Sequence, residues 1–100
     1  MDGRGIAVDA GRMVADLDAL DRIGRTEAGL FRVAWSPAYR EGLDWLHGRF
    51  ADAGLVTTED AATNVWGRWA VGAGPALLLG SHIDAVPNGG KFDGAFGVLA

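Results

Sequence analysis

The chain has 100 residues and no cysteine, and 49% of its residues are hydrophobic and 22% charged. This length allows one domain at most, and this composition is typical of a globular chain rather than a disordered one. The net charge of −4, with nine scattered Lys and Arg residues, argues against a nucleic-acid-binding surface. No apolar segment reaches the ~18–20 residues of a membrane helix, and the first residues lack the apolar core of a secretory signal. The lack of cysteine excludes disulfide bonds and thiolate metal sites and fits a cytoplasmic location.

A helix is predicted near the start of the chain. Residues 1–8 are expected to form a flexible terminus. From Asp9 onward apolar residues recur at helical spacing, and Gly24 is a typical residue to end such a helix. The apolar stripe of this helix contains Met13, Leu17 and Leu20.

A second helix is predicted to begin at Ser36-Pro37, after a loop over residues 26–33. Serine is a common N-cap, and proline is favoured at the first helical position. Gly54 is expected to end the helix. Its apolar stripe contains Tyr39, Leu43, Leu46 and Phe50.

Three strands are predicted in the second half of the chain. Leu55–Thr58 and Asn64–Val71 are rich in β-branched and aromatic residues and are expected to pair as a hairpin, with Gly67 as a candidate bulge. After a turn, the apolar run Ala76–Leu79 is predicted to be a buried central strand.

The order helix, helix, strand, strand, strand, helix predicts the α/β class, as an α/β sandwich. The last helix begins near Asp93 or Gly94, and the sequence stops at Ala100 without a helix-ending signal. The chain is therefore expected to be the front part of a longer protein.

Three polar residues follow the predicted central strand. His82 and Asp84 stand two residues apart, so their side chains share a face if the segment is extended. Ligands bind beyond the carboxyl ends of strands in open α/β sheets, and imidazole and carboxylate are common ligands of catalytic metals. Asp84 can bind a metal itself or accept the other ring N–H of a metal-bound His82. Asp93 is the third candidate, and it is equally well explained as the N-cap of the last helix.

Other motifs in the sequence fail on spacing or context. The glycine-rich segment 88–94, NGGKFDG, lacks the GxxxxGK[ST] spacing of a phosphate-binding loop. Ser81 and His82 are neighbours, so on a strand they face opposite sides and cannot act as nucleophile and base. His47 is expected at the surface or at the edge of the core. Core packing is also the expected role of the four tryptophans, Trp35, Trp45, Trp66 and Trp69.

The segment Gly80–Ala100, GSHIDAVPNGGKFDGAFGVLA, resembles the metal-binding signature of the N-carbamoyl-L-amino acid hydrolase and allantoate amidohydrolase family. This family belongs to a wider group of aminoacylase and carboxypeptidase G type metallohydrolases. The likeness continues upstream in the same order, through DLDALDRIG (16–24), FRVAWSP (31–37) and NVWGRW (64–69), so it covers nearly the whole chain.

The resemblance implies a metal-dependent amidohydrolase that cleaves C–N bonds of linear ureido or amidine compounds with a water activated by two divalent ions. It matches His82 to a ligand of one ion, Asp93 to the carboxylate that bridges both ions, and Asp84 to the catalytic acidic residue that orients His82. Zinc is the metal that the resemblance favours, ahead of manganese, cobalt and nickel. The general base and the remaining ligands are expected beyond Ala100.

The resemblance also implies a domain organisation. Family members interrupt the catalytic α/β domain with a smaller domain used for dimerisation and closure, so residues 1–100 would be the N-terminal portion of the catalytic domain, without the dimerisation domain. The whole protein is expected to be a cytoplasmic homodimer that acts on a small ureido substrate and binds neither nucleic acid nor membrane.

Two alternatives stay open at the level of sequence. The 100 residues carry only part of the site and are expected to be inactive alone. A different alternative is a non-catalytic α/β binding or partner module, in which Asp93 is only a helix cap and His82 is only a core residue.

Overall fold

The two long helices form where the sequence predicts them. A computed structural model describes residues 7–100, so the first six residues of the predicted flexible terminus lie outside the described part. Helix α1 spans Ala10–Asp21 and helix α2 spans Pro37–Asp52. The side chains of Asp9 and Ser36 cap them by accepting hydrogen bonds from the backbone N–H three residues on, at 2.9 Å and 3.2 Å. Local capping chemistry therefore determines both helix starts.

The strands form two separate antiparallel hairpins. Strands β3 (Val56–Glu59) and β4 (Val65–Arg68) pair as predicted, although β4 ends three residues before the predicted Val71. Strands β1 (Arg25–Thr26) and β2 (Gly29–Leu30) form a small hairpin where a loop was expected. Strands of two residues are too short to show an alternating pattern in the sequence.

Gly67 is not a bulge. It pairs with Thr57 in the regular register of the hairpin. A Cβ atom on Gly67 would lie 2.7 Å from the ring of Phe50 and 2.8 Å from Leu55. Glycine is needed here because the hairpin packs directly against α2, and not because the strand bends.

The hydrophobic core joins the three helices to the segment that carries the candidate site. Helix α3 spans Ala95–Leu99. The buried cluster consists of Leu17, Leu20, Leu43, Leu46, Ile83, Ala95 and Leu99. Burying an aliphatic side chain such as Ile83 stabilises the fold by about 1.5–3 kcal/mol, and Ile83 lies between His82 and Asp84. Within residues 7–100, no helix has the length and apolar character needed to cross a membrane.

The predicted central strand, Ala76–Leu79, is the main correction. The segment pairs with no strand in the described part of the chain, where the four strands pair only within their own hairpins. Leu77, Leu78 and Leu79 are 87%, 72% and 82% exposed. An apolar run becomes a buried strand only where another strand takes up its backbone hydrogen bonds and another layer covers its side chains. Residues 7–100 provide neither, so the order of elements is helix, hairpin, helix, hairpin, helix.

The prediction that the tryptophans fill the core is also mostly wrong. Only Trp45, on the inner side of α2, packs against the buried cluster. Trp35 and Trp69 are largely exposed and Trp66 is half exposed. Trp35 lies two residues before α2, and Trp69 directly follows β4.

A charged cluster ties α2 to the β3–β4 hairpin. Glu59 accepts two hydrogen bonds from the Arg40 guanidinium, both at 2.7 Å, and faces His47 Nε2 at 2.9 Å. These contacts lower the pKa of Glu59 from 4.5 to about 2, and the hydrogen bonds from Arg40 contribute most to this shift. The folded protein therefore holds the ionised carboxylate more strongly than the unfolded chain does.

We expect this cluster to weaken in acid. Because the pKa of Glu59 is lowered on folding, its stabilising contribution is complete above pH 4.5 and is lost as the pH falls towards 2. The Glu59→Gln variant should lose less stability than the wild type across this interval, as measured by urea unfolding at a series of pH values. Glu41→Gln, on the exposed face of the same helix, is the matched control and should keep the wild-type profile. Parallel profiles for Glu59→Gln and the wild type would contradict the prediction.

Candidate functional site

The segment that carries the candidate site is extended and is held against residues 30–32. The Ala85 N–H donates to the Arg32 carbonyl at 2.8 Å, and the Asn88 N–H donates to the Leu30 carbonyl at 2.7 Å. Ile83 and Ala85 are buried, whereas His82 and Asp84, which alternate with them, are more exposed. This alternation is the one an extended chain produces against a core.

His82 and Asp84 contact each other. Nδ1 of His82 lies 3.0 Å from the backbone carbonyl oxygen of Asp84 and 3.3 Å from its carboxylate. Both neighbours of Nδ1 are acceptors, so Nδ1 carries the ring proton in the neutral imidazole. The Nε2 lone pair is then free to bind an electrophile or a metal ion.

Asp93 does not cap the last helix. The N-cap of α3 is Gly94, with φ 71° and ψ −48°, and no side chain caps this helix. The Ala95 N–H donates to the Asp93 carbonyl at 2.8 Å, which makes Gly94 the centre of a γ-turn of the rare, strained kind. Asp93 is exposed, and Gly90 packs against its carboxylate. A Cβ atom on Gly90 would lie 3.2 Å from Oδ2 of Asp93.

The γ-turn packs directly on the His82 segment. A Cβ atom on Gly94 would lie 2.5 Å from Nδ1 of His82 and closer still to other atoms of that residue. The Ser81 hydroxyl donates to the Gly94 carbonyl at 2.8 Å. Gly97 also packs closely on Ser81, since a Cβ atom on Gly97 would lie 2.9 Å from Oγ of Ser81. The first turn of α3, and with it Asp93, is therefore held beside the imidazole.

One cavity of about 330 Å³ gathers the candidate residues. It is lined by His82, Asp84, Ala85, Val86, Asp93 and Gly94. Between residues 7 and 100, no three His, Asp or Glu side chains stand close enough together to form a metal-binding group. The structure thus brings His82, Asp84 and Asp93 to one cavity without completing a metal site.

The geometry contradicts the two assumptions of the non-catalytic alternative, namely that His82 is a core residue and that Asp93 is a helix cap. The His82 side chain is 57% exposed and is not a core residue. Asp93 is not a helix cap.

Two residues that fix the segments around the site were not predicted from the sequence. Lys91 forms an ion pair with Asp18 of α1 and so ties the loop before α3 to that helix. The hydrogen bond from Lys91 lowers the pKa of Asp18. Arg32 is buried beneath the His82 segment. The signal for Arg32 in the sequence is a charged residue inside the apolar stretch FRVAW. This pattern is as typical of an exposed edge strand as of a buried arginine.

Known proteins are similar to the chain in sequence and in structure. An N-carbamoyl-L-amino-acid amidohydrolase from a Pseudomonas strain is 38% identical over 98 residues, which cover 95% of the chain and 24% of that protein. A crystal structure of an amidase of the hydantoinase/carbamoylase family from Burkholderia phymatum superposes with a TM-score of 0.83 at 42% identity, over 93% of the chain and 23% of the amidase. The chain belongs to the N-carbamoyl-L-amino acid hydrolase and allantoate amidohydrolase family. No model of a known protein family matches the chain.

The allantoate branch of this family is represented as well. Allantoate amidohydrolase from Escherichia coli is 42% identical over 74 residues, which cover 72% of the chain and 18% of that enzyme. The superposition on a family amidase confirms the predicted α/β class. The chain spans between 17% and 24% of the length of the curated relatives that it matches over 87% or more of its own length.

Proposed function

We propose that the protein carrying this chain is a metal-dependent amidohydrolase acting on N-carbamoyl amino acids or allantoate. The single observation that carries this proposal is the His82–Asp84 pair, which leaves Nε2 free at a cavity that Asp93 also lines. The relatives named for these two substrates, similar to the chain over 72% or more of its length, support the same activity.

The donor set of the cavity fits a divalent metal. His82 would bind an ion through Nε2, and Asp84 would fix the tautomer and orientation of the ring, as carboxylates commonly do for metal-binding histidines. Asp93 would supply carboxylate oxygens, which can be shared between two ions. Two bound ions, zinc in our proposal, would lower the pKa of a water molecule and polarise the scissile carbonyl.

Two ligands are fewer than the three protein ligands of a catalytic zinc site. The chain spans a quarter or less of the length of its relatives, so we take the other ligands and the general base to lie elsewhere in the protein. We therefore expect the 100 residues alone to be inactive. The partners we propose for the whole protein are a small ureido substrate and a second copy of itself, in the cytoplasm, which the cysteine-free sequence fits.

Metal removal tests the proposed function. The whole protein should release ammonia from N-carbamoyl amino acids or allantoate, and dialysis against a chelator should abolish this activity. Zinc, manganese, cobalt or nickel should restore it, because all four accept imidazole and carboxylate ligands. Activity that survives complete metal removal, verified by elemental analysis, would overturn the proposal.

A further inference from the structure

Arg32 is the only charged side chain among the largest fully buried ones in the described part of the chain, with 1% of its surface exposed. Burial lowers the pKa of its guanidinium, whereas the negative charges of Asp21 and Asp84 raise this pKa and the positive charge of Arg25 lowers it further. A buried charge is costly unless hydrogen bonds compensate it. Glycine at position 42 makes room for its stem, since a Cβ atom there would lie 3.3 Å from Cδ of Arg32.

The side chain of Arg32 donates its hydrogen bonds to backbone carbonyls. Nη1 donates to the carbonyl of Leu20 in the last turn of α1, at 2.8 Å, and to the carbonyl of Ile23 just after this helix, at 2.7 Å. Nε donates to the carbonyl of Ile83 at 2.8 Å. One planar group thus ties the end of α1 to the peptide between Ile83 and Asp84.

The main chain of Arg32 makes a second bond to the same segment. Its carbonyl accepts from the Ala85 N–H at 2.8 Å. The side chain therefore holds the residue before Asp84, and the main chain holds the residue after it. These two bonds restrict the position of the Asp84 carbonyl and carboxylate, the two groups that face Nδ1 of His82.

We infer that Arg32 is a positioning residue, which sets the tautomer and orientation of the His82 ring by holding the peptides on both sides of Asp84. This role deepens the amidohydrolase function proposed above and rests on it. In the described part of the chain, the Arg32 side chain donates hydrogen bonds to backbone carbonyls and to no side chain that lines the cavity, so these bonds act on the site through the backbone. A guanidinium suits this position because its nitrogens point in fixed directions, which a single ammonium cannot reproduce.

The experiment compares the His82 ring in the wild type and in Arg32→Met, in the whole protein without metal. Proteins labelled with ¹⁵N-histidine are examined by long-range ¹H–¹⁵N correlation at about pH 8, above the ordinary imidazole pKa of about 6.5. The His82 signal is assigned by its loss in His82→Gln. We expect the Nδ1–H tautomer in the wild type and a mixture closer to free imidazole in Arg32→Met. Zinc affinity, measured by competition with a chelating dye, should fall about 10–100-fold, as when an outer-shell partner is lost.

Arg12→Met is the matched control. Like Arg32, Arg12 donates to a backbone carbonyl, that of Leu99, and it also donates to the Asp16 carboxylate, but it makes no hydrogen bond to residues 83–85. This variant should keep the wild-type His82 spectrum and zinc affinity, which shows that general loss of stability does not move the ring.

A folded Arg32→Met protein with the wild-type tautomer and zinc affinity would overturn the inference. If that variant does not fold, Arg32→Lys decides, because it retains the charge but cannot reach all three carbonyls at once. A shifted His82 spectrum in Arg32→Lys supports the positioning role, and an unchanged one overturns it. The tautomer comparison needs no activity, so a wild type that stays inactive after metal is added back would refute the proposed function without deciding the role of Arg32.

Discussion

Replacing His82 with alanine in the whole protein should abolish the metal-dependent hydrolysis of N-carbamoyl amino acids or allantoate that we propose for it. His82 is the one imidazole at the cavity in the described part of the chain, and its Nε2 is the free ring nitrogen. Loss of an outer-shell partner typically costs about 10–100-fold in activity or metal affinity, and loss of a direct ligand should cost more. The measurement is kcat/KM for ammonia release, together with the metal content of the purified protein.

His47→Ala is the matched control, because His47 is the other histidine of the chain. It contacts Thr57 and Glu59 on the β3–β4 hairpin and does not line the cavity. This variant should keep its activity and lose little stability, because it removes only the side-chain contacts of His47 with Thr57 and Glu59. If His82→Ala were as active as His47→Ala, the assignment of His82 as a metal ligand would be wrong.

Gly94→Ala should destabilise the fold and disable the site together. Alanine at φ 71° is strained, and its Cβ atom would overlap the ring and the carbonyl of His82. Sparsely populated backbone conformations cost about 1–3 kcal/mol, and overpacking a filled site costs about 1–3 kcal/mol more. We expect a fall in the urea unfolding midpoint and a loss of activity, because the imidazole must move to admit the methyl group.

Gly54→Ala separates strain from overlap. Gly54 also has a positive φ, of 84°, but a Cβ atom there meets no atom within 4 Å. This variant should show the strain alone and should keep its activity, since Gly54 follows α2 on the side of the β3–β4 hairpin. Equal stability losses in Gly94→Ala and Gly54→Ala would contradict the predicted clash with His82.

The elements that the sequence predicts correctly are those that neighbouring residues determine. Ser36-Pro37 begins α2 because a serine side chain and a proline ring suit the first helical turn wherever the helix packs. The β3–β4 hairpin forms where predicted because the Asp60 side chain accepts from the N–H groups of Ala62 and Asn64, both at 2.9 Å, and closes the turn. Contacts of this kind span few residues, so a linear pattern records them.

The sequence alone also placed His82 and Asp84 side by side, because an extended chain brings alternate residues to one face. Only the tertiary structure decided that Gly94, and not Asp93, is the N-cap of α3 and that Arg32 is buried beneath the site. It also decided that the leucines at 77–79 are exposed, since an apolar run is buried only if a distant part of a protein covers it. Each of these outcomes depends on partners far along the chain, and the spacing of neighbouring residues carries no information about them.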